Sequence, residues 1–364
     1  MIVMALDHTR DFFSKLRFRP EDLSQATPFL FFTRWITHFC APTFFLLAGV
    51  GAGIAVARGK STKQISWFLL TRGLWLVVLE LTISHIGWQF SMEFPQLLIV
   101  IWALGMSMVI LSALVYLPRK IILAISLATI ALHNLLDGVN AESLGGLGPI
   151  WHILHAPGLV SQDPLVVVAY PLMPWFAVMA LGYLMGEIFT WDAARRRRFL
   201  LRAGIAATAL FIVLRAVNFY GDPNPWASQR SPGLTLSSFG NATKYPPSLI
   251  FLLMTLGPAC IALALLENAR GALARAVTVY GRVPMFYYIV HIYVIHILAY
   301  GFAVWQGGTG SFLGLDTASF PKWYGTTLPG VYLAWAIVVL LLYWPCKWFA
   351  ELKSRRTDWW LGYI

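Results

Sequence analysis

The chain has 364 residues, of which 58 % are hydrophobic and only 12 % charged, with a mean hydropathy of +0.67. That composition excludes a soluble globular domain: apolar runs long enough to span a bilayer recur from end to end, so the class is an all-α polytopic membrane protein, read as a single domain over residues 1–364. A net charge of +11 would point a soluble chain toward nucleic acid, but here enrichment of Lys and Arg on the cytoplasmic side accounts for it, and no nucleic-acid partner is expected.

About ten spans are predicted, the first truncated. Met1 to Leu6 supplies six apolar residues before Asp7 and His8, roughly 9 Å of helix against a core of about 30 Å. Either this helix enters from mid-membrane or residues precede Met1, and the second is preferred. Residues 9–27 are polar, contain Pro20, and read as a loop with a short interfacial helix. Spans follow at about 29–57, 64–87, 95–117, 121–136, 166–189, 200–219, 248–267, 283–304 and 328–346. The second ends in the small-residue stretch Ala48-Gly-Val-Gly-Ala-Gly53, suited to close helix packing. The sixth opens on Tyr170-Pro-Leu-Met-Pro-Trp175, whose prolines loosen its first turns.

Alternating sides gives a topology. The connectors after spans two, four, six and eight, with the tail, hold 17 of the 27 Lys and Arg when Arg202, at the very start of the seventh span, is counted with its connector; the opposite loops hold seven, and Arg34, Arg72 and Arg215 lie within spans. That bias places both termini in the cytoplasm and all eight histidines toward the outer side. No internal repeat is visible. Cys40, Cys260 and Cys346 lie in apolar segments without metal-ligand spacing, so disulfides are not expected.

Two stretches concentrate charge in apolar surroundings. The first carries Asp7, His8, Arg10 and Asp11, and the second Arg34 and His38, four apart and so on one helix face. Burying a charge in a bilayer costs about 2.5–3.5 kcal/mol, so such groups pair, line a wet cavity or do chemistry. Histidine suits proton transfer better than a purely structural pair. Arg72 and Glu80, eight apart, fall near one face. His85 and His296 read as packing. His152 and His155, three apart, are weak evidence for a metal, and none is expected. There is no G-x-S-x-G elbow, P-loop or dinucleotide fingerprint. These residues alone support a proton-relay or general-base site and a transporter almost equally.

Several motifs carry a family resemblance: Met4-Ala-Leu-Asp-His-Thr-Arg-Asp-Phe-Phe13, Phe31-Phe-Thr-Arg-Trp-Ile-Thr-His-Phe-Cys-Ala-Pro42, Tyr170-Pro-Leu-Met-Pro-Trp175, Thr243-Lys-Tyr-Pro-Pro-Ser248 and Gly281-Arg-Val-Pro-Met-Phe-Tyr-Tyr-Ile-Val-His291. Over nearly its whole length the chain resembles a bacterial membrane family classed with the catalytic domain of heparan-α-glucosaminide N-acetyltransferase. The resemblance implies the transmembrane acyltransferase superfamily, a bacterial inner-membrane location, and transfer of acetyl from cytoplasmic acetyl-CoA to an outer sugar hydroxyl or amine. The chain departs from the family in lacking a complete first helix with an Asp-x-x-Arg-Gly-like entry. In a gap-free alignment from Pro42 no histidine falls where the eukaryotic enzyme has its catalytic one, in the loop after the first helix. His8 falls instead where that enzyme has an asparagine and where acyltransferase-three proteins have their first-helix histidine.

On this reading His8 is the general base or transient acyl carrier, with Asp7 and Asp11 beside it and His38 as runner-up. Asp11 is expected to fix the tautomer of His8, and Arg34 to join the site. Acetyl-CoA, a substrate, would meet Arg72 and Arg282 with its phosphates and pass Gly51 with its pantetheine arm. His133, Asp137, Trp151, Tyr170, Trp175 and His291 are the candidates for the acceptor side. Lipid bilayer is the obligate partner, and homo-oligomerisation is left open. The alternative is a proton-coupled transporter of a small polar metabolite relaying through Arg34, His38 and Asp137. A third option is a member that has lost its chemistry.

Overall fold

Helices account for most of the chain because its long apolar runs must satisfy their own backbone in lipid. The structure is a computed structural model and describes residues 1–92, 95–314 and 317–363. In chain order come α1 (Ile2–Phe13), α2 (Pro28–Trp35), α3 (Cys40–Ala57), α4 (Thr62–Leu79), α5 (His85–Gln89), strand β1 (Gln96–Leu98), α6 (Val100–Leu114) and α7 (Arg119–Leu132). They are followed by α8 (Gly148–Leu154), β2 (Gly158–Gln162), β3 (Leu165–Val168), α9 (Trp175–Met185), α10 (Ala193–Val217) and α11 (Pro232–Gly240). The last are α12 (Leu249–Leu266), α13 (Ala272–Arg282), α14 (Pro284–Trp305) and α15 (Leu328–Arg355).

Among the described residues, seven helical stretches are long and apolar enough to cross a bilayer: Pro28–Ala57, Thr62–Gln89, Arg119–Leu136, Ala193–Val217, Leu249–Leu266, Pro284–Trp305 and Leu328–Arg355. Val100–Leu114 and Trp175–Thr190 are shorter apolar helices. Leu333, Leu340, Leu341, Trp344 and Trp348 stand exposed along α15, as lipid-facing side chains do. Every predicted span has its helix, with several boundaries moved: α10 starts at Ala193 and not at about 200, α15 runs on to Arg355 and not to about 346, and three further shifts have a visible cause. The sequence predicts a loop from residue 9, whereas α1 continues to Phe13. Its charges neutralise one another, Arg10 reaching Asp7 at 3.1 Å and Asp11 at 2.7 Å, while Met4, Ala5, Leu6, Thr9, Phe12 and Phe13 are buried. The span predicted from 95 starts at 100, because Gln96–Leu98 pairs in parallel with Val166–Val168. The span predicted from 166 starts at 175: Leu165–Val168 is a strand, Pro171 and Pro174 have no amide hydrogen, and Leu172 and Met173 donate to the carbonyls of Ile153 and Leu154.

The chain forms two compact units. Unit 1 comprises Met1–Cys40, Thr82–Met92 and the described part of Asn268–Ile364. Helix α1 packs there against α14 and α15, and the Trp335 indole donates to the Ile2 carbonyl at 2.9 Å. Helix α14 buries a stripe at every fourth residue, Tyr287, His291, Ile295, Ala299 and Ala303. After α1 the Arg17 guanidinium donates to the carbonyls of Ser14, Phe320, Pro321 and Tyr324, fixing the exit from that helix.

Unit 2 comprises Ala41–Leu81 and the described part of Glu93–Glu267. Its helices meet glycine to glycine. Gly49 and Gly53 of α3 lie on α9 at Met179, Tyr183 and Gly186, and Gly182 lies on Leu46; in α4 and α6 Gly73 faces Gly105, and in α10 and α12 Gly204 faces Gly257. The three-stranded sheet, in the order β1-β3-β2, is parallel between β1 and β3 and antiparallel with a bulge between β2 and β3. Buried Glu80 accepts from the amides of Ile101 and Trp102, at 3.0 Å each, as a side-chain cap on α6. Arg215 donates to the carbonyls of Asn224, Ser238, Phe239 and Asn241 and so ties the loop after α10 to that helix.

Candidate active site

Unit 1 holds the densest set of ionisable side chains, on α1, α2 and α14. His8 lies two turns into α1 and is half-buried. Its Nδ1 is 2.7 Å from Nε2 of His291, a residue 283 positions away that α14 buries completely. Nδ1 of His291 is 2.9 Å from the carbonyl oxygen of Tyr287, one turn earlier on α14. A carbonyl only accepts, so His291 carries its proton on Nδ1. In the neutral pair its Nε2 is then the acceptor, His8 donates from Nδ1, and the lone pair of His8 lies on Nε2. Trp88 meets the His8 ring edge-on at 4.8 Å, and His291 stacks on it at 5.0 Å. A backbone carbonyl thus sets, through two imidazoles, which nitrogen of a reachable histidine is basic.

Beside this pair runs a network of charges. Asp7 bridges Arg10 and Arg34, and Arg10 also holds Asp11. The Arg34 guanidinium donates from Nε to Glu21 at 2.9 Å and from Nη1 to Thr37 at 3.2 Å. His38 Nε2 lies 3.7 Å from the same Glu21 oxygen. Arg34 and His38 thus do share a face, even though residues Ile36–Phe39 form a 3₁₀ turn, and they converge on one carboxylate. Burial pushes the Glu21 carboxyl up, but Arg34, then His38 and Arg10, outweigh it and hold the group well below the usual range.

The remaining candidates divide by unit. Asp11 is bound to Arg10, and His8 takes its tautomer from His291, where the sequence predicts Asp11. Arg282 is exposed at the end of α13 in unit 1. In unit 2, Arg72 lies half-buried with its guanidinium 5.3 Å from the Phe68 ring centre. Gly51 faces open space, and the close backbone approach predicted there is made by Gly49 and Gly53, because α3 turns those two toward α9. Trp175 is fully buried and stacks on Phe45 at 4.6 Å and on Tyr170 at 5.9 Å, so its ring is not exposed to a sugar. Tyr170 is buried as well, and Trp151 is half-buried with its indole donating to the Val139 carbonyl. His133, Asp137 and His155 come together, with donor atoms all within 4.8 Å of one another. Asp137, which the transporter reading joins to Arg34 and His38, is in unit 2 and pairs with His155 at 3.0 Å. Burial raises its carboxyl, but the hydrogen bonds from His155 and Asn134 prevail and lower it. His85 and His296 are buried, the latter stacked on Phe90 at 3.7 Å.

Missing from the sequence reading were the partners that order the site: Tyr287 and Trp88, with His291 in the role of positioning His8. A histidine on an otherwise apolar four-residue stripe was the available signal for His291.

Bilayer-length helices with a hydrogen-bonded histidine pair and an ion network around the first of them define a polytopic α-helical membrane protein with ionisable chemistry inside it. Residues 1–220 match the family described as heparan-alpha-glucosaminide N-acetyltransferase, catalytic, more than half of the 364 residues. The chain belongs to that family, and with it to membrane proteins of acetyltransferase type. No curated protein and no solved structure is a significant match to it. His8, Asp7, Asp11, Arg34 and His38 lie inside the matched residues, whereas His291 and Arg282 lie beyond them.

Proposed function

We propose that the protein transfers an acetyl group from acetyl-CoA to a hydroxyl or amine of a sugar-like acceptor, with Nε2 of His8 as the general base. The observation that carries this reading is the Tyr287–His291–His8 chain of hydrogen bonds, which fixes the tautomer of a half-buried histidine on the first helix of a family member. In the step, His8 takes the proton of the acceptor hydroxyl as the acceptor oxygen bonds to the thioester carbon. The carbon–sulfur bond then breaks, and the leaving thiolate takes that proton back. The same lone pair serves if the acetyl group rests first on His8. His291 keeps its hydrogen bond to His8 throughout, and Asp7, Arg10 and Arg34 hold the charged side of α1 in place. Arg282, exposed at the end of α13, is the proposed contact of the coenzyme phosphates. The acceptor side is open to the bacterial outer face if both termini are cytoplasmic, as the distribution of basic residues favours.

The test is release of coenzyme A and of labelled product from radiolabelled acetyl-CoA with amino-sugar and sugar acceptors. His8→Ala should lower kcat by about 10²–10⁴-fold, the usual worth of a positioned general base. His291→Phe, which removes the acceptor for the His8 proton, should lower kcat with KM for acetyl-CoA little changed. Undiminished turnover in folded His8→Ala would move the chemistry away from this helix.

A further inference from the structure

Unit 2 contains a second histidine cluster that the acetyl-transfer reading leaves without a task. His133 opens the 3₁₀ turn His133–Leu136 after α7, Asp137 follows that turn, and His155 follows α8. His133 is 2 % exposed and His155 1 %. Neither ring nitrogen of His133, nor Nδ1 of His155, has a hydrogen-bond partner among the described residues. Two imidazoles buried side by side with three of four nitrogens unsatisfied forgo hydrogen bonds that water would supply, a cost of about 1–3 kcal/mol per group. Their rings lie 5.8 Å apart and edge to face, with Asp137 between them in reach of both.

We infer that His133, Asp137 and His155 bind a divalent transition-metal ion of the zinc type. Two neutral imidazoles and one carboxylate are the donor set of three-ligand zinc sites, which keep a fourth position open. The separation of 3.0 Å between His155 Nε2 and Asp137 Oδ1 is close to the edge of a tetrahedron built on bonds of about 2.0–2.1 Å, roughly 3.3 Å. The three donor atoms, all within 4.8 Å of one another, have at most about 1.5 Å to close to complete such a triangle. Asp137 is held ready for it. Asn134 donates to its other oxygen at 2.8 Å, and the Leu249 amide, donating to Oδ1 of Asn134 at 2.9 Å, fixes which way that amide faces. The Asp137 side chain is 20 % exposed and gives an ion its way in. His152, the residue that sequence spacing sets with His155, is outside the cluster and bonded to the Ala156 carbonyl.

The experiment uses the full chain, purified in detergent, free of any affinity tag and stripped with a chelator, then titrated with Co²⁺ while visible absorption and bound metal per chain are measured. Wild type should take up about one Co²⁺ per chain with the intense bands of a four-coordinate site, and Zn²⁺ should displace it. His133→Ala, Asp137→Asn and His155→Ala should each lose the bands and weaken binding at least about 100-fold, and Asn134→Ala should weaken it about 10–100-fold. His152→Ala should bind as wild type does. If an alanine variant is not recovered folded, His155→Gln carries the same expectation with the side-chain volume kept. Wild type that gives no four-coordinate Co²⁺ spectrum, or variants that bind as wild type does, overturn the assignment. Because binding is read without turnover, a chain that binds Co²⁺ but transfers no acetyl group separates this site from the acetyl-transfer reading.

Discussion

At the scale of single residues, Glu21 carries an unusual share of the first helix's stability. Arg34 and His38 both converge on its carboxylate, and Arg34 in turn anchors Asp7 of α1. Removing one partner of such a buried pair leaves the other charge uncompensated, which is more costly than never having had the pair. A carboxyl held below its ordinary value contributes stability above its unfolded pKa of 4.5 and loses it as pH falls toward the depressed folded value. Glu21→Gln should therefore lower the melting temperature clearly at pH 7, with the gap to wild type narrowing as pH drops below about 4.5. Melting curves in detergent at several pH values check this; a gap that stays constant with pH would mean that the Glu21 charge is not what holds Arg34. The same scale explains what the sequence did and did not disclose about His8. Its residue type and its apolar setting were legible, but the tautomer rests on a histidine 283 positions away, and no local spacing encodes that.

Among the helices, the small residues of α3 separate into two roles. Gly49 and Gly53 recur every fourth residue, Gly49 against Met179 and Tyr183 of α9 and Gly53 against Tyr183 and Gly186 just past its end, so the two backbones touch along one seam. A side chain at Gly49 would overlap the Met179 carbonyl, and backbone cannot step aside as a flexible side chain can. Gly49→Leu should cost at least about 1–3 kcal/mol, as overpacking does. Gly51→Leu, pointing into open space, should stay within about 0.5 kcal/mol of wild type. Thermal denaturation of both proteins in detergent distinguishes them, and equal loss in the two would mean that the seam is not where the structure places it. Composition disclosed that this stretch packs closely. Which glycines do so depends on the rotation of α3 about its axis, which α9 sets.

For the whole molecule, the basic residues make the sharpest forecast. Arg195 to Arg198 open α10, and the loop after its other end carries Ser228. With 17 basic residues on one side against seven on the other, the start of α10 should face the cytoplasm and the loop the outside. In a background lacking the native cysteines, Arg197→Cys should resist a membrane-impermeant thiol reagent in intact cells and react after lysis, while Ser228→Cys should react in both. The opposite pattern would reverse the topology and with it the side on which an acceptor is met.

The sequence by itself determined the membrane class, the approximate position of the long apolar helices and the family, because a span needs only a long apolar run and the family motifs are contiguous. It also marked Asp7, His8, Arg34 and His38 as ionisable groups in apolar surroundings and named His133 and Asp137 as acceptor-side candidates. Tertiary structure alone decided how they combine. It started two predicted spans late by pairing residues 96–98 with 166–168, carried α1 on to Phe13 by neutralising its charges, buried Trp175 against two rings, and joined His8 to His291 and His133 to His155. The physical reason is common to all of these. A helix needs only its own neighbours for its backbone hydrogen bonds, whereas a hydrogen bond between side chains depends on where packing puts two segments far apart in the chain.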